Sequence, residues 1–272
     1  MARKRGRQPK HWAEVARLKA WYGEVKRWSE WSDYRLDMEF AWTEDAIQSG
    51  LRRSAERPRT FEWIRKAARA PRGDDPRWRG VAELISAVDE HPWFRGTRRL
   101  YEAEIWDLLQ RESLAPQFVQ DRVDSILSTH GLARLPAERI ASDGGALVHE
   151  FGLPSIFDRC LHLSFRRMDR YARIALAWLL FVQTEPAQNA RIRVVIEETV
   201  DNLLDHFFAD FLSDKHLVFY DEAIGALLRT RLDLSVHSIS GYGHIETVGA
   251  WPVVPSELVG KLSRKDLGFS SA

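Results

Sequence analysis

The 272-residue chain is 44% hydrophobic and 29% charged, with a formal net charge of +1 at pH 7. That apolar share is enough for a proper core and argues against global disorder, and the length suits one large domain or two small ones. The single cysteine, Cys160, excludes an internal disulfide and fits a reducing, cytoplasmic setting.

In chain order, residues 1–10 carry no apolar periodicity and are expected to form a disordered basic arm. No apolar stretch follows them, so no secretory signal is expected. Trp12, Val15, Leu18, Tyr22 and Val25 recur at helical spacing, which predicts an amphipathic helix over about 11–29. Ser32 suits the N-cap of a second helix carrying Leu36 and Phe40. Thr60 can cap a short helix reaching Arg69, closed by Pro71 and Gly73, and Val81–Val88 forms another, ended by His91-Pro92. Thr97 is placed as the cap of a helix to about Arg111. Pro116 opens the next, whose C-terminus falls at Gly131.

Residues 132–154, with Pro136 and Gly144-Gly145, read as a linker between a Trp-rich basic helical domain (11–131) and a second helical domain (155–272). In the latter, two long helices over about 155–183 and 187–213 are split at Thr184-Glu185-Pro186, and a further helix covers about 217–232. The apolar run Ile174–Val182 spans nine residues, where a membrane-crossing helix needs about twenty, so no membrane partner is expected. Ser235–Ser240 and His244–Val248 flank Gly241-Tyr242-Gly243, which predicts a short β-hairpin near 235–248. Residues 251–255 should be extended. The fold expected is mainly α, a multi-helix protein with a short C-terminal β-hairpin.

Enzyme signatures fail on spacing. Gly241-Tyr242-Gly243 has Glu246 where a dinucleotide fingerprint needs glycine, and Gly260-Lys261 has Pro255 and Leu262 at the other P-loop positions. His149-Glu150 lacks the second histidine of a zincin, and Cys160 and His162 fall on different helical faces. No catalytic residues and no cofactor are therefore assigned. Glu197, Asp201 and Asp205 share one face at i, i+4 and i+8, with Glu198, His206 and Asp210 nearby. Such carboxylates could hold a hard cation, but a solvated acidic stripe costs only a few tenths of a kcal/mol per pair. The stripe is read as metal-free.

The charge balance conceals an asymmetry. Residues 1–79 hold 20 Lys/Arg against 12 Asp/Glu, and the rest of the chain reverses this surplus. A basic segment of this kind suits an anionic partner. Nine of the eleven tryptophans lie between Trp12 and Trp106, which reads as a small Trp-rich core. Two basic features stand out. One is the arm with Arg3, Lys4, Arg5, Arg7 and Lys10. The other is the helix near 60–71, where Phe61, Ile64 and Ala68 turn inward and Arg65, Lys66, Arg69 and Arg72 turn outward. Cations so arranged contact phosphate first and position the protein before any base is read.

The arm, Arg3-Lys4-Arg5-Gly6-Arg7-Gln8-Pro9-Lys10, resembles an AT-hook, with Gln8 where that family has proline. The resemblance implies a minor-groove contact to A·T-rich DNA. The segment Ser32–Ala41, Thr60–Pro71 and Val81–Val88 is similar to helix-turn-helix repressors of phages and plasmids, which implies a groove-docked helix. The reading favoured by the sequence is a nucleic-acid-binding protein, a regulator or an accessory factor of a mobile element or defence system. Its partner would be DNA or RNA, with protein contacts or self-association through 155–272. The alternatives are a helical protein–protein adaptor without nucleic acid and a metal-dependent hydrolase using the 197–210 stripe.

Overall fold

The structure, a computed structural model, describes residues 10–50, 57–71, 73–111, 114–135, 152–183, 190–212, 215–239, 252–260, 262–263 and 265–268. It is mainly helical, with one two-stranded antiparallel sheet among the described residues. The chain divides into two compact units, Met1–Trp106 with Phe207–Glu222, and Asp107–His206 with Ala223–Ala272.

The first unit is built on α1 (Trp12–Arg27), α2 (Asp33–Phe40), α3 (Glu44–Gln48), α4 (Thr60–Ala67), α5 (Val81–Glu90) and α6 (Thr97–Tyr101). In α1, Glu14 stands in the first turn and Lys26 and Arg27 in the last, which complements the helix dipole. Its buried face runs through Ala13, Ala16, Ala20 and Trp21 as well as Leu18 and Val25, while Trp12, Val15 and Tyr22 are only partly covered. Three alanines on that face let α4 and α6 pack against α1. Ser32 caps α2 as expected, its Oγ accepting the Arg35 N–H at 3.2 Å. Phe61, Ile64 and Ala68 of the α4 segment are buried as the periodicity required.

Two expected caps are replaced by tertiary ones. Thr60 is the first residue of α4, not its cap, and residue 59 makes no side-chain cap bond. Instead Asp37, on α2, accepts the Phe61 N–H at 2.9 Å. Thr97 likewise lies inside its helix, and Asp89 accepts the N–H groups of Gly96 and Arg98 at 2.7 and 2.9 Å. A carboxylate from a neighbouring element does what a local hydroxyl was expected to do. The helix expected from Thr97 to Arg111 is two pieces, α6 and α7 (Ile105–Gln110), broken at 102–104.

The second unit holds α8 (Pro116–Thr129), β1 (Leu132–Arg134), α9 (Leu153–Phe165), α10 (Arg170–Gln183) and β2 (Val253–Pro255). The helices α11 (Ala190–Phe211) and α12 (His216–Ile239) contribute residues to both units. Pro116 stands at the start of α8, and Gly131 adopts φ +62° just past its end, as expected. The single long helix expected over 155–183 is divided at 166–169, because Asp169 accepts the N–H groups of Tyr171 and Ala172 at 2.9 Å and starts α10 anew.

The two strands among the described residues lie elsewhere than the hairpin expected near 235–248. Residues 235–239 are the end of α12, and 240–251 lie outside the described residues. With no breaker before Gly241, each added helical bond fixes only one more residue, so α12 propagates. The sheet pairs Leu132 with Pro255, Ala133 with Val254 and Arg134 with Val253. Residues 132–134, expected in the linker, form β1, and the extended 251–255 segment supplies its partner. The buried Ser164 hydroxyl donates to the Val253 carbonyl at 2.7 Å, tying α9 to β2.

Cys160 lies fully buried in the apolar cluster of Leu135, Ile156, Val254 and Leu267. Burial pushes its thiol up to about 12, and only a thiolate attacks disulfides. Ellman's reagent is therefore expected to leave native protein unlabelled at pH 8 and to titrate one thiol only in denaturant. Among the described residues no helix is long and apolar enough to cross a membrane.

Candidate nucleic-acid interface

Arg3, Lys4, Arg5, Arg7 and Arg72 lie outside the described residues, so the arm that resembles an AT-hook is not described structurally. Lys10 is described and donates to the Ala68 carbonyl at 3.3 Å. Arg65, Lys66 and Arg69 are exposed on α4 or just beyond it, as expected. Their charges are not equally free. Arg65 Nε meets Asp33 at 2.7 Å, and Lys66 Nζ meets Glu62 at 2.6 Å. Arg69 instead lies over the ring of Trp63, its Cζ 5.1 Å from the centroid.

The Arg65–Asp33 contact is part of a small network. Tyr22 donates its hydroxyl to the other oxygen of Asp33 at 2.7 Å. Burial pushes the Asp33 carboxyl up, but hydrogen bonds from Tyr22 and Arg65 outweigh it and hold the group below the usual aspartate range. Burial and the bond to Asp33 push the Tyr22 hydroxyl well above its ordinary value. This network ties α1, α2 and α4 to one another and engages Arg65 within the fold.

The α2 and α4 helices pack together but are not joined by a tight turn. Residues 41–59, including α3, separate them. A helix-turn-helix places its second helix after three or four residues, so the likeness stops at helix order.

Residues outside the expected set complete the surface. Tyr34 and Trp63 are 56% and 38% exposed, and Arg57 lies over Tyr34 at 5.2 Å. Arg57, Pro58, Arg59, Trp63 and Trp78 line a cleft of about 400 Å³. Trp78 is held there by a β-bridge to Trp42, flanked by Thr43 N–H to Arg77 O at 3.0 Å and Arg79 N–H to Ala41 O at 2.9 Å. Arg77 lies 5.3 Å from the Trp78 ring centroid and is itself fastened to Asp75 at 2.6 Å. An alternating path of rings and guanidinium groups results: Tyr34, Arg57, the cleft with Trp63 and Trp78, then Arg69.

The carboxylates decide which cations remain available. Asp37, fully buried, meets Arg57 at 3.1 Å, and Glu62 meets it at 3.4 Å. Burial pushes Asp37 above the usual aspartate range, against the Phe61 N–H and Arg57, which favour its charge. Arg59 and Arg69 are exposed and make no ion pair among the described residues.

A second aromatic group surrounds Trp31, which contacts Phe40, His91, Trp93 and Phe94 with ring centroids 5.4 to 6.0 Å apart. Arg35 covers Trp31 at 3.8 Å, and Trp93 is 58% exposed. The tryptophans were expected in the core. Trp21, Trp42 and Trp106 are there, whereas Trp28, Trp63 and Trp93 face solvent. For Trp63 the signal was in the sequence, since on the helical wheel it falls off the face that carries Phe61, Ile64 and Ala68.

On α11, Glu197 and Asp201 are exposed and Asp205 is partly covered, with Arg193 3.9 Å from Glu197. Ile192, Ile196 and Phe207 are buried as expected, and Leu204 rather than Leu203 completes that face. Among the described residues no three His, Cys, Asp or Glu side chains group as metal ligands would. Comparison with models of protein families, with curated proteins and with solved structures finds no match to this chain.

Proposed function

We propose that the first unit binds single-stranded nucleic acid, DNA or RNA, through its arginine-interleaved aromatic surface. The observation that carries this is the exposure pattern. Trp28, Tyr34, Trp63 and Trp93, the exposed aromatics among the described residues, all belong to the first unit. Arg57 and Arg69 lie over two of these rings, Tyr34 and Trp63. Burying large rings is favourable by about 25 cal/mol per Å², so such ring–arginine pairs suit a partner with flat faces and negative charge. Single strands offer both, because each base has a π-face and each linkage a phosphate. Duplex DNA hides its base faces and would use only the cations.

Fluorescence anisotropy with labelled single strands and duplexes near 50 mM salt tests the reading. Tighter binding of the single strand supports it, and a protein that ignores every nucleic acid contradicts it. Asp33→Asn should tighten single-strand binding several-fold by releasing Arg65, since one added phosphate contact is worth a fraction of a decade to a decade at low salt. The same variant should lose acid-dependent stability. Asp33's lowered value contributes stability above the unfolded value of 3.8 that disappears as pH falls through the folded one.

The adaptor reading keeps one observation of its own. Leu217 and Val218 on α12 are both 60% exposed, within the 155–272 segment where protein contacts were expected. A nucleic-acid-blind protein that self-associates would favour it.

A further inference from the structure

The cleft at the start of α4 combines features that a general phosphate-binding surface does not need. Its volume of about 400 Å³ falls in the range of small-ligand sites, roughly 300–1,000 Å³. Two indoles, Trp63 and Trp78, supply flat faces, and Arg59 supplies an exposed cation that makes no ion pair among the described residues, though its charge acts on the Glu62 carboxylate nearby. Arg57, on the same wall, is already matched by Asp37 and Glu62.

Arg59 is also strained. Its φ of +53° is left-handed, a conformation that costs an L-residue with a β-carbon and that glycine adopts freely. Strain kept at a cleft wall is a reason to look for a role of the side chain. A cationic ligand would meet the exposed Arg59 guanidinium, and a plain hydrocarbon would leave Arg59 unanswered. A ligand with a π-face and a phosphate satisfies both.

We infer that this cleft holds one unpaired nucleotide, its base stacked on the indole of Trp63 and its phosphate paired with Arg59. This rests on the nucleic-acid reading of the same surface and adds the unit it grips. The nucleotide is held as a splayed-out base, so the protein favours single strands or loops over continuous duplex.

The test uses the full chain labelled with 5-fluorotryptophan, with the Trp63 and Trp78 signals assigned by Trp63→Phe and Trp78→Phe. Adenosine monophosphate is the probe, compared with adenosine and ribose 5-phosphate. The nucleotide should shift both signals, adenosine should do so more weakly, and ribose 5-phosphate should leave them in place. Trp63→Ala should weaken nucleotide binding roughly 5- to 150-fold, the range for losing one base stack, while Trp63→Phe should keep most of it. Arg59→Gly should raise Tm and weaken binding together.

Nucleotide bound with both signals unmoved, or unweakened by Trp63→Ala in folded protein, overturns the inference. So does an acidic peptide that shifts them when the nucleotide does not. Single-strand binding with Trp63 and Trp78 silent removes the cleft and leaves the broader reading standing. Nucleotide in the cleft without any strand binding supports the cleft and removes that reading.

Discussion

Asp37→Ala is expected to lower the unfolding free energy by about 3 kcal/mol, the low end of what removing one partner of a buried ion pair costs. The carboxylate is fully buried, and it is both the Arg57 partner and the acceptor for the Phe61 N–H. Its loss leaves one buried donor at the start of α4 without an acceptor and one guanidinium with only Glu62. The low end applies because Arg57 is 30% exposed and can recruit water. Urea denaturation followed by circular dichroism measures the change. Asp37→Asn should cost less, since its amide oxygen can still accept from Phe61.

The pH dependence has a defined sign. Burial raises the folded value of Asp37, so the folded protein holds that proton more tightly than the unfolded chain. Stability from this group is fullest below the unfolded value of 3.8 and falls as pH rises through the folded one. The stability gap between wild type and Asp37→Asn should therefore narrow on going up through that window. Asp33 behaves in the opposite way.

Gly23→Ala is the second large effect. By intrinsic propensity, alanine in mid-helix should stabilise α1 by about 1 kcal/mol. Yet a β-carbon at this position would sit inside contact distance of the backbone carbonyl oxygen of Phe211. That oxygen is backbone and cannot swing away as a side chain would. Phe211 and Phe207 are buried, and Trp106 lies 5.3 Å from Phe207 by ring centroids, so little slack surrounds the contact. Overpacking of this kind costs about 1–3 kcal/mol. The expected outcome is a net loss of about 2 kcal/mol, seen as a lower urea midpoint with unchanged slope. A more stable variant would show that α1 and this stretch of chain do not approach so closely.

Much of the helical layout was legible because apolar periodicity and local caps are sequence-local signals. Ser32, Pro116 and Gly131 mark helix ends in the positions expected. What failed depended on distant residues. The Thr60 and Thr97 caps gave way to Asp37 and Asp89, whose carboxylates reach across space. The β1–β2 pairing joins residues more than a hundred positions apart, and three-residue strands carry too little alternation to register. In the candidate site, the outward face of α4 was legible from Phe61, Ile64 and Ala68. The neutralisation of Arg65 and Lys66 by Asp33 and Glu62 was not, nor was Trp78, which a bridge to Trp42 brings to the cleft. The basic surplus of residues 1–79 is a property of the sequence, whereas the pairing of individual cations is set by the fold.

The most direct test measures single-strand affinity against salt for wild type, Trp63→Ala and Arg69→Ala. A stacked ring contributes energy without displacing counterions, whereas a cation on phosphate releases about 0.7 of a counterion per contact on single strands. Trp63→Ala should therefore lower affinity at every salt concentration and leave the log–log slope unchanged. Arg69→Ala should flatten the slope by about 0.7. Single-strand binding that is indifferent to Trp63, or that carries no salt dependence at all, would contradict the account.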